Sequence, residues 1–216
     1  PAGWYTIMSH KSGYYNDYHD AKACGDISNQ DNALSAKLNP GEMRIMLKWP
    51  KTNPATGVDL DAHLSIPDNS SGTYHLYYET VDGDNHKNYV YGAGDNVKLD
   101  WDDDNTTSRP SPPGKETITI MSGAATKVRS GTFSYSVHNF TDKDNDSGQG
   151  DCCPNYKTNL SKSRAKVRVF YNNQGTLVRK RFNVPNDNGT LWRVFTFSTS
   201  GSGHGFTRKN EMTYED

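Results

Sequence analysis

Val58-Asp59-Leu60-Asp61-Ala62-His63-Leu64 and, further along, Leu99-Asp100-Trp101-Asp102-Asp103-Asp104 are the stretches from which the fold can be read. Both alternate apolar and acidic residues, the period-two signature of a half-buried β-strand. In the first, Asp59, Asp61 and His63 leave the backbone on one side. In the second, Asp100 and Asp102 share a face, so simple alternation keeps them from both lining a site of opposite parity. Carboxylates gathered this closely repel one another unless a cation or a hydrogen-bond donor holds them. The expected cation is Ca²⁺, bound at one end of a β-sandwich by Asp59 and Asp61, by Asp102, Asp103 or Asp104, and by Glu116. A hard cation takes six to eight oxygens, which these carboxylates with carbonyls and water can supply.

Outward from these stretches, helical periodicity is nearly absent. Extended segments are expected at Met43–Trp49, Val58–Ile66, Thr73–Glu79, Asn96–Trp101, Glu116–Met121, Gly131–His138, Ala165–Tyr171, Thr176–Asn183 and Leu191–Ser198, separated by Gly, Pro, Asn and Asp turns. Many short strands with frequent turns predict an all-β, antiparallel sandwich of the immunoglobulin or jelly-roll type, occupying residues 41–200. One weak helical turn is expected around Asp31–Lys37. Residues 1–40 read as two strands and a turn, too few for an independent fold, so they must dock on the main domain or be completed by another chain. Residues 201–216, Gly/Ser-rich and then charged, read as a mobile tail.

Composition narrows the function. Apolar residues are only 32% of the 216, but thirteen tyrosines help to build a core. A net charge of −1 favours neither nucleic acid nor an acidic membrane surface. No apolar run reaches membrane-spanning length, so no membrane insertion is expected. A chain that opens on Pro1 reads as a processed product or a fragment whose leader has gone. Three cysteines, Cys24, Cys152 and Cys153, leave one over after a single bridge. Cys24 bonded to one of the adjacent pair, with the other free or linked to a neighbouring subunit, is one reading; three reduced thiols is the other. Sequons at Asn69, Asn105, Asn139, Asn145, Asn159 and Asn188 exceed the about three expected by chance and agree with a secreted glycoprotein.

Other chemistry is sparse. Asp142-Lys143-Asp144-Asn145-Asp146-Ser147-Gly148 looks like the first half of an EF-hand loop. Its twelfth position is Cys153 instead of a bidentate Glu, and a solvated acidic insertion is the plainer reading. His63 and His138 sit in alternating strands, where structural hydrogen bonds are commoner than catalysis. There is no nucleophile elbow, no H-E-x-x-H zinc motif and no phosphate-binding glycine loop. The run Tyr74, Tyr77, Tyr78 and the cluster Tyr14, Tyr15, Tyr18 can form a sugar platform, though alternation places Tyr74 with Leu76 and His75 with Tyr77, as packing would require.

The ordered set Asp59-Leu60-Asp61-Ala62-His63-Leu64, Tyr74-His75-Leu76-Tyr77-Tyr78, Leu99-Asp100-Trp101-Asp102-Asp103 and Lys115-Glu116-Thr117-Ile118-Thr119-Ile120 resembles the YfaP-like β-sandwich domain of microbial surface and secreted proteins. Gly131-Thr132-Phe133-Ser134-Tyr135-Ser136-Val137-His138-Asn139-Phe140, Phe182-Asn183-Val184-Pro185 and Trp192-Arg193-Val194-Phe195 extend the resemblance through residues 41–200. The Pro-rich insert Asn105–Gly114 and the cysteine-bearing insert after Phe140 depart from it. Ala2-Gly3-Trp4-Tyr5-Thr6-Ile7 with Lys11-Ser12-Gly13-Tyr14 is similar to the closing strands of a carboxypeptidase-regulatory or Cna-B-like (transthyretin-like) domain. These resemblances imply a non-catalytic module at the cell surface or outside the cell.

The expectation is therefore a Ca²⁺-stabilised structural or adhesive protein that assembles with copies of itself or with other surface-protein subunits into an appendage or filament. A monomeric carbohydrate-binding adhesin, with glycans as partners, is the alternative. A secreted hydrolase is the third class.

Overall fold

The structure, a computed structural model, describes residues 2–23, 34–50, 58–81, 84–103, 114–123, 127–145, 156–200 and 203–214. The chain divides into two compact units, Pro1–Asn39 and Pro40–Asp216. The first holds an antiparallel hairpin of β1 (Gly3–Ser9) and β2 (Asp17–Ala23), in register from Gly3 opposite Ala23 to Ser9 opposite Asp17. Gly13, at a positive φ of 79°, lets the connection turn. The helical turn expected near Asp31–Lys37 is not seen in its described part. Ala36 instead bridges Tyr14, and the Ser35 carbonyl accepts the Tyr15 N–H, so the backbone groups a helix needs are already used.

The second unit is an antiparallel two-sheet sandwich, as the alternation predicts. Its strands are β3 (Met43–Trp49), β4 (Leu60–Pro67), β5 (Thr73–Leu76), β6 (Thr80–Val81), β7 (Asp84–Asn85), β8 (Asn88–Gly92), β9 (Asp95–Trp101), β10 (Gly114–Ile120), β11 (Gly131–Asn139), β12 (Lys166–Asn173), β13 (Thr176–Asn183), β14 (Leu191–Ser200) and β15 (Gly203–Thr213). One sheet runs β13-β12-β3-β10-β9-β8 and the other β15-β14-β11-β4-β5, while β6 and β7 form a small ribbon. Every second residue points inward: Met43, Ile45, Leu47 and Trp49 from β3 meet Leu60, Ala62, Leu64 and Ile66 from β4 in one continuous core. Each such large side chain contributes roughly 1.5–3 kcal/mol by leaving water. Gly114 is where Trp49 packs, and a Cβ there would lie 2.0 Å from the indole ring.

Each segment expected to be extended carries a strand. Two departures matter. The supposed tail is β15, paired along β14 from Leu191 opposite Thr213 to Ser200 opposite Gly203. Only one of its faces packs, with Phe206 and Met212 against the core, and the rest is polar because it is a sheet edge. The cysteine-bearing insert after Phe140 opens with a 3₁₀ helix, Phe140–Asn145, and is followed by a short α-helix, α1 (Tyr156–Lys162). Cys24, Cys152, Cys153, Asp104 and Asn105 fall outside the described residues.

Candidate functional site

Among the described residues no strand pairs with the N-terminal end of β4 on its β5 side, because that pairing begins only at Leu64. Two groups of ligand-type side chains meet there, both containing Asp61. In each group one donor atom per residue lies within 4.8 Å of the others.

The first group is Asp61, Asp102 and Glu116. Glu116 projects from β10 into the sandwich in the row of Ile118 and Ile120, and is 1% exposed. Its Oε2 accepts the Ala62 N–H at 2.6 Å, which satisfies a donor at this end of β4. Its Oε1 has no hydrogen-bond partner among the described residues. Burial raises the Glu116 pKa well above the usual carboxylate range; the charges of Asp61 and Asp102 add to this, and the Ala62 N–H opposes it.

Asp102 reaches the group through a β-bulge. Leu99 pairs with Ile118, but the next pair is Trp101 with Thr117, so Asp100 is the extra residue. The bulge resets the alternation: Trp101 turns to the outer face with Lys115, whose Nζ lies 4.7 Å from the indole centroid, and Asp102 falls in line with Glu116. Asp100 stays exposed. The expectation that Asp100 and Asp102 share a face is therefore corrected. Lys87 Nζ supplies a counter-charge 2.7 Å from Asp102 Oδ2.

The other expected ligands divide. Asp59 is not part of either group; its N–H donates to Thr141 Oγ1 and its carbonyl accepts the Phe140 N–H, so its position serves the junction with the 3₁₀ helix. Asp103 accepts the Lys115 N–H at 3.2 Å and also stands outside both groups. Asp142 is buried and accepts the side-chain amides of Asn139, at 2.5 Å, and Asn159, at 3.0 Å. It ties the 3₁₀ helix to β11 and α1. The remainder of the EF-hand-like run has no described side chains.

The second group, Asp61, His63 and His138, was not expected as a ligand set. The β4–β11 register places His138 opposite Asp61 and His63 opposite Ser136, all on the sheet's outer face. Tyr77 stacks on His63 with ring centroids 5.5 Å apart, and Tyr78 lies at 6.5 Å, so this outer face is covered. His63 Nδ1 is 2.9 Å from His75 Nε2. Burial, aided by the neighbouring His75 and His138, lowers the His63 pKa to about 3. His75 is shifted the same way by burial and His86. Both rings are neutral at physiological pH. The sequence signal was there, in Asp61-Ala62-His63, but the partner His138 becomes visible only once the register is known. Tyr74 and Tyr78 pack against the core, as alternation suggested for Tyr74.

Among the sequons, Asn69 and Asn188 are exposed, Asn159 is held by Asp142, and Asn145 closes the 3₁₀ helix. Asn139 has no exposed surface, and its side-chain amide donates to Asp142.

A third feature lies on the outer face of the six-stranded sheet. Lys115, Lys48 and Lys166 form one cross-strand row, Arg168 faces Arg181 in the next, and Arg44 and Arg179 flank Phe170 in the third. Like charges opposite one another cost stability unless groups outside the rows offset them.

Among the described residues no helix is long and apolar enough to cross a membrane. No protein-family model matches the chain, and no curated protein matches it.

Proposed function

We propose that the chain is a non-catalytic structural or adhesive module of an extracellular assembly, its sandwich locked by a divalent cation of the calcium type at Asp61, Asp102 and Glu116. The observation that carries this reading is the convergence of three carboxylates, from β4, the end of β9 and β10, at the N-terminal end of β4. The buried Oε1 of Glu116, beside Asp102, offers an oxygen-seeking ion a further ligand atom. Glu116 and Asp61 are both buried, so an ion there is enclosed, which suits a staple better than a reaction centre. Residues 41–200 retain their likeness to YfaP-like surface domains as support from sequence. Association with further copies is supported by the hairpin of the first unit, where Trp4 is 73% and Met8 54% exposed beside Tyr5, Ile7 and Tyr18.

Thermal unfolding with Ca²⁺ and with EDTA tests the staple, and native mass measurement tests assembly. A melting temperature indifferent to Ca²⁺ removes the staple; monodisperse monomers in Ca²⁺ remove the assembly.

A second reading, a carbohydrate-binding module, is favoured by the basic rows on the six-stranded sheet. Their ligand class is an acidic polysaccharide. Retention on a sulfated or uronate polysaccharide that falls steeply with salt, and is lost in Arg168→Ala/Arg181→Ala, supports it; salt-independent behaviour counts against it.

A further inference from the structure

The imidazoles beside Asp61 are of no use to a calcium ion, which takes oxygen. Their arrangement nevertheless has the marks of a ligand set. His138 lies directly across from Asp61 in the β4–β11 pair, and His63 is the diagonal neighbour on the same face. The His63 and His138 rings stand at 81° with centroids 5.5 Å apart, so they meet edge to face instead of stacking. All three residues are more than nine-tenths buried. His63 is held by one nitrogen only, Nδ1 against His75 Nε2, while Nε2 is buried with no hydrogen-bond partner among the described residues.

From this geometry we infer that Asp61, His63 and His138 form a second metal site, for a divalent d-block ion of the zinc type. Two imidazoles and a carboxylate are the donor set such ions prefer, and three protein ligands leave a fourth position for water. Ligand atoms about 2 Å from a tetrahedral ion are roughly 3.3 Å apart. The donor atoms here lie within 4.8 Å of one another, so side-chain movements of about 1 Å, without change in the strands, close the set.

The surroundings fit the same assignment. For His63 Nε2 to ligate, the ring proton must sit on Nδ1. The neighbour there is His75 Nε2, a neutral acceptor, and a metal-bound histidine ordinarily gives its other N–H to such a partner. Tyr77 stacks on both rings, 5.5 Å from His63 and 4.5 Å from His75, fixing their planes. Asp61 belongs to both groups. This inference goes beyond the calcium staple and does not rest on it.

The test uses the untagged full chain, freed of metal with EDTA. Calorimetric titration with Zn²⁺ in excess Ca²⁺ should show one equivalent bound. Co²⁺ in its place should give ligand-field absorption without thiolate charge transfer, which separates this site from the cysteines. His63→Gln and His138→Gln should each weaken Zn²⁺ by more than about tenfold, and His75→Gln by about 10–100-fold, as a partner of the ligand. Asp102→Asn and Glu116→Gln should leave Zn²⁺ binding within a few fold, while the first reduces and the second removes the Ca²⁺ melting shift, so the two sites fail separately. The inference is overturned if Zn²⁺ does not bind, or if it binds unchanged in His63→Gln/His138→Gln. Should those variants not fold, imidazole resonances of the wild-type chain decide. Zn²⁺ must move two buried histidine rings, and movement only of exposed ones such as His204 refutes the site.

Discussion

Replacing Glu116 with Gln separates a cation staple from an ordinary buried hydrogen bond. The side chain is 1% exposed, and its Oε2 accepts the Ala62 N–H at 2.6 Å. A glutamine carbonyl keeps that bond, and its NH₂ turns a donor toward Asp61 and Asp102 without the proton that the buried glutamate must hold there. Without metal the variant should therefore unfold no earlier than the parent. With Ca²⁺ the order reverses. An ion bound only by the native state adds RT ln(1 + [L]/Kd), about 2.7 kcal/mol at a hundredfold excess over Kd. For a unit the size of Pro40–Asp216, at about 2–4 °C per kcal/mol, that raises the parent's melting temperature by about 5–11 °C and the variant's by nearly nothing. The pH dependence follows from the same group. Its folded pKa is raised, so in EDTA the native state holds a proton that the unfolded chain has released. Stability is then complete below the ordinary glutamate range and declines as pH rises from there toward the raised value. Glu116→Gln should abolish that decline. Differential scanning calorimetry in EDTA and in Ca²⁺ over a pH series reads every part of this. A variant several degrees less stable in EDTA, with no Ca²⁺ shift in the parent, would refute the argument.

Gly114→Ala drives a methyl group against the Trp49 ring at 2.0 Å and should cost about 1–3 kcal/mol or more, seen as a lower urea midpoint. Phe206→Ala removes a half-buried ring 4.5 Å from the Phe197 centroid; about 2 kcal/mol should be lost, and no loss would mean that β15 does not support the core. In material from a glycosylating host, peptide mass mapping should find Asn69 and Asn188 modified and Asn139 bare. A glycan on Asn139 would mean that this strand end opens before modification.

What the sequence disclosed depended on how local the determinant was. Met43–Trp49 is a strand with a clear inner face because four apolar residues alternate with Arg44, Met46 and Lys48, and that pattern needs no partner to be read. Gly203–Thr213 hid its strand because an edge with one wet face needs few apolar residues. Its irregularity at Asn210, with a φ of 54° and Oδ1 accepting from Trp192 Nε1, breaks the alternation further. Asp61 and Glu116 were visible as candidates because acids in inner or edge positions of strands are costly unless used. His138 stood out only as a strand histidine and not as a ligand, because its pairing with Asp61 is a fact of register between strands far apart in the chain.

The bulge at Asp100 offers the sharpest comparison between sequence and structure, since plain alternation makes Asp100 and Asp102 equivalent and the register makes them opposites. Asp100 is the extra residue, exposed to water, whereas Asp102 stands beside Glu116 and pairs with Lys87 at 2.7 Å. Asp100→Asn should therefore leave the Ca²⁺ melting shift as it is. Asp102→Asn removes one of three charged ligands and should weaken Ca²⁺ at least tenfold, about 1.4 kcal/mol. Without metal the same change costs only a partly exposed ion pair, about 1 kcal/mol or less. Equal effects of the two substitutions on Ca²⁺ would mean that the strand runs unbulged in solution and that Asp102 faces away from Glu116. The carboxylate trio would then lose a member, and with it the reason for placing an ion at this end of β4.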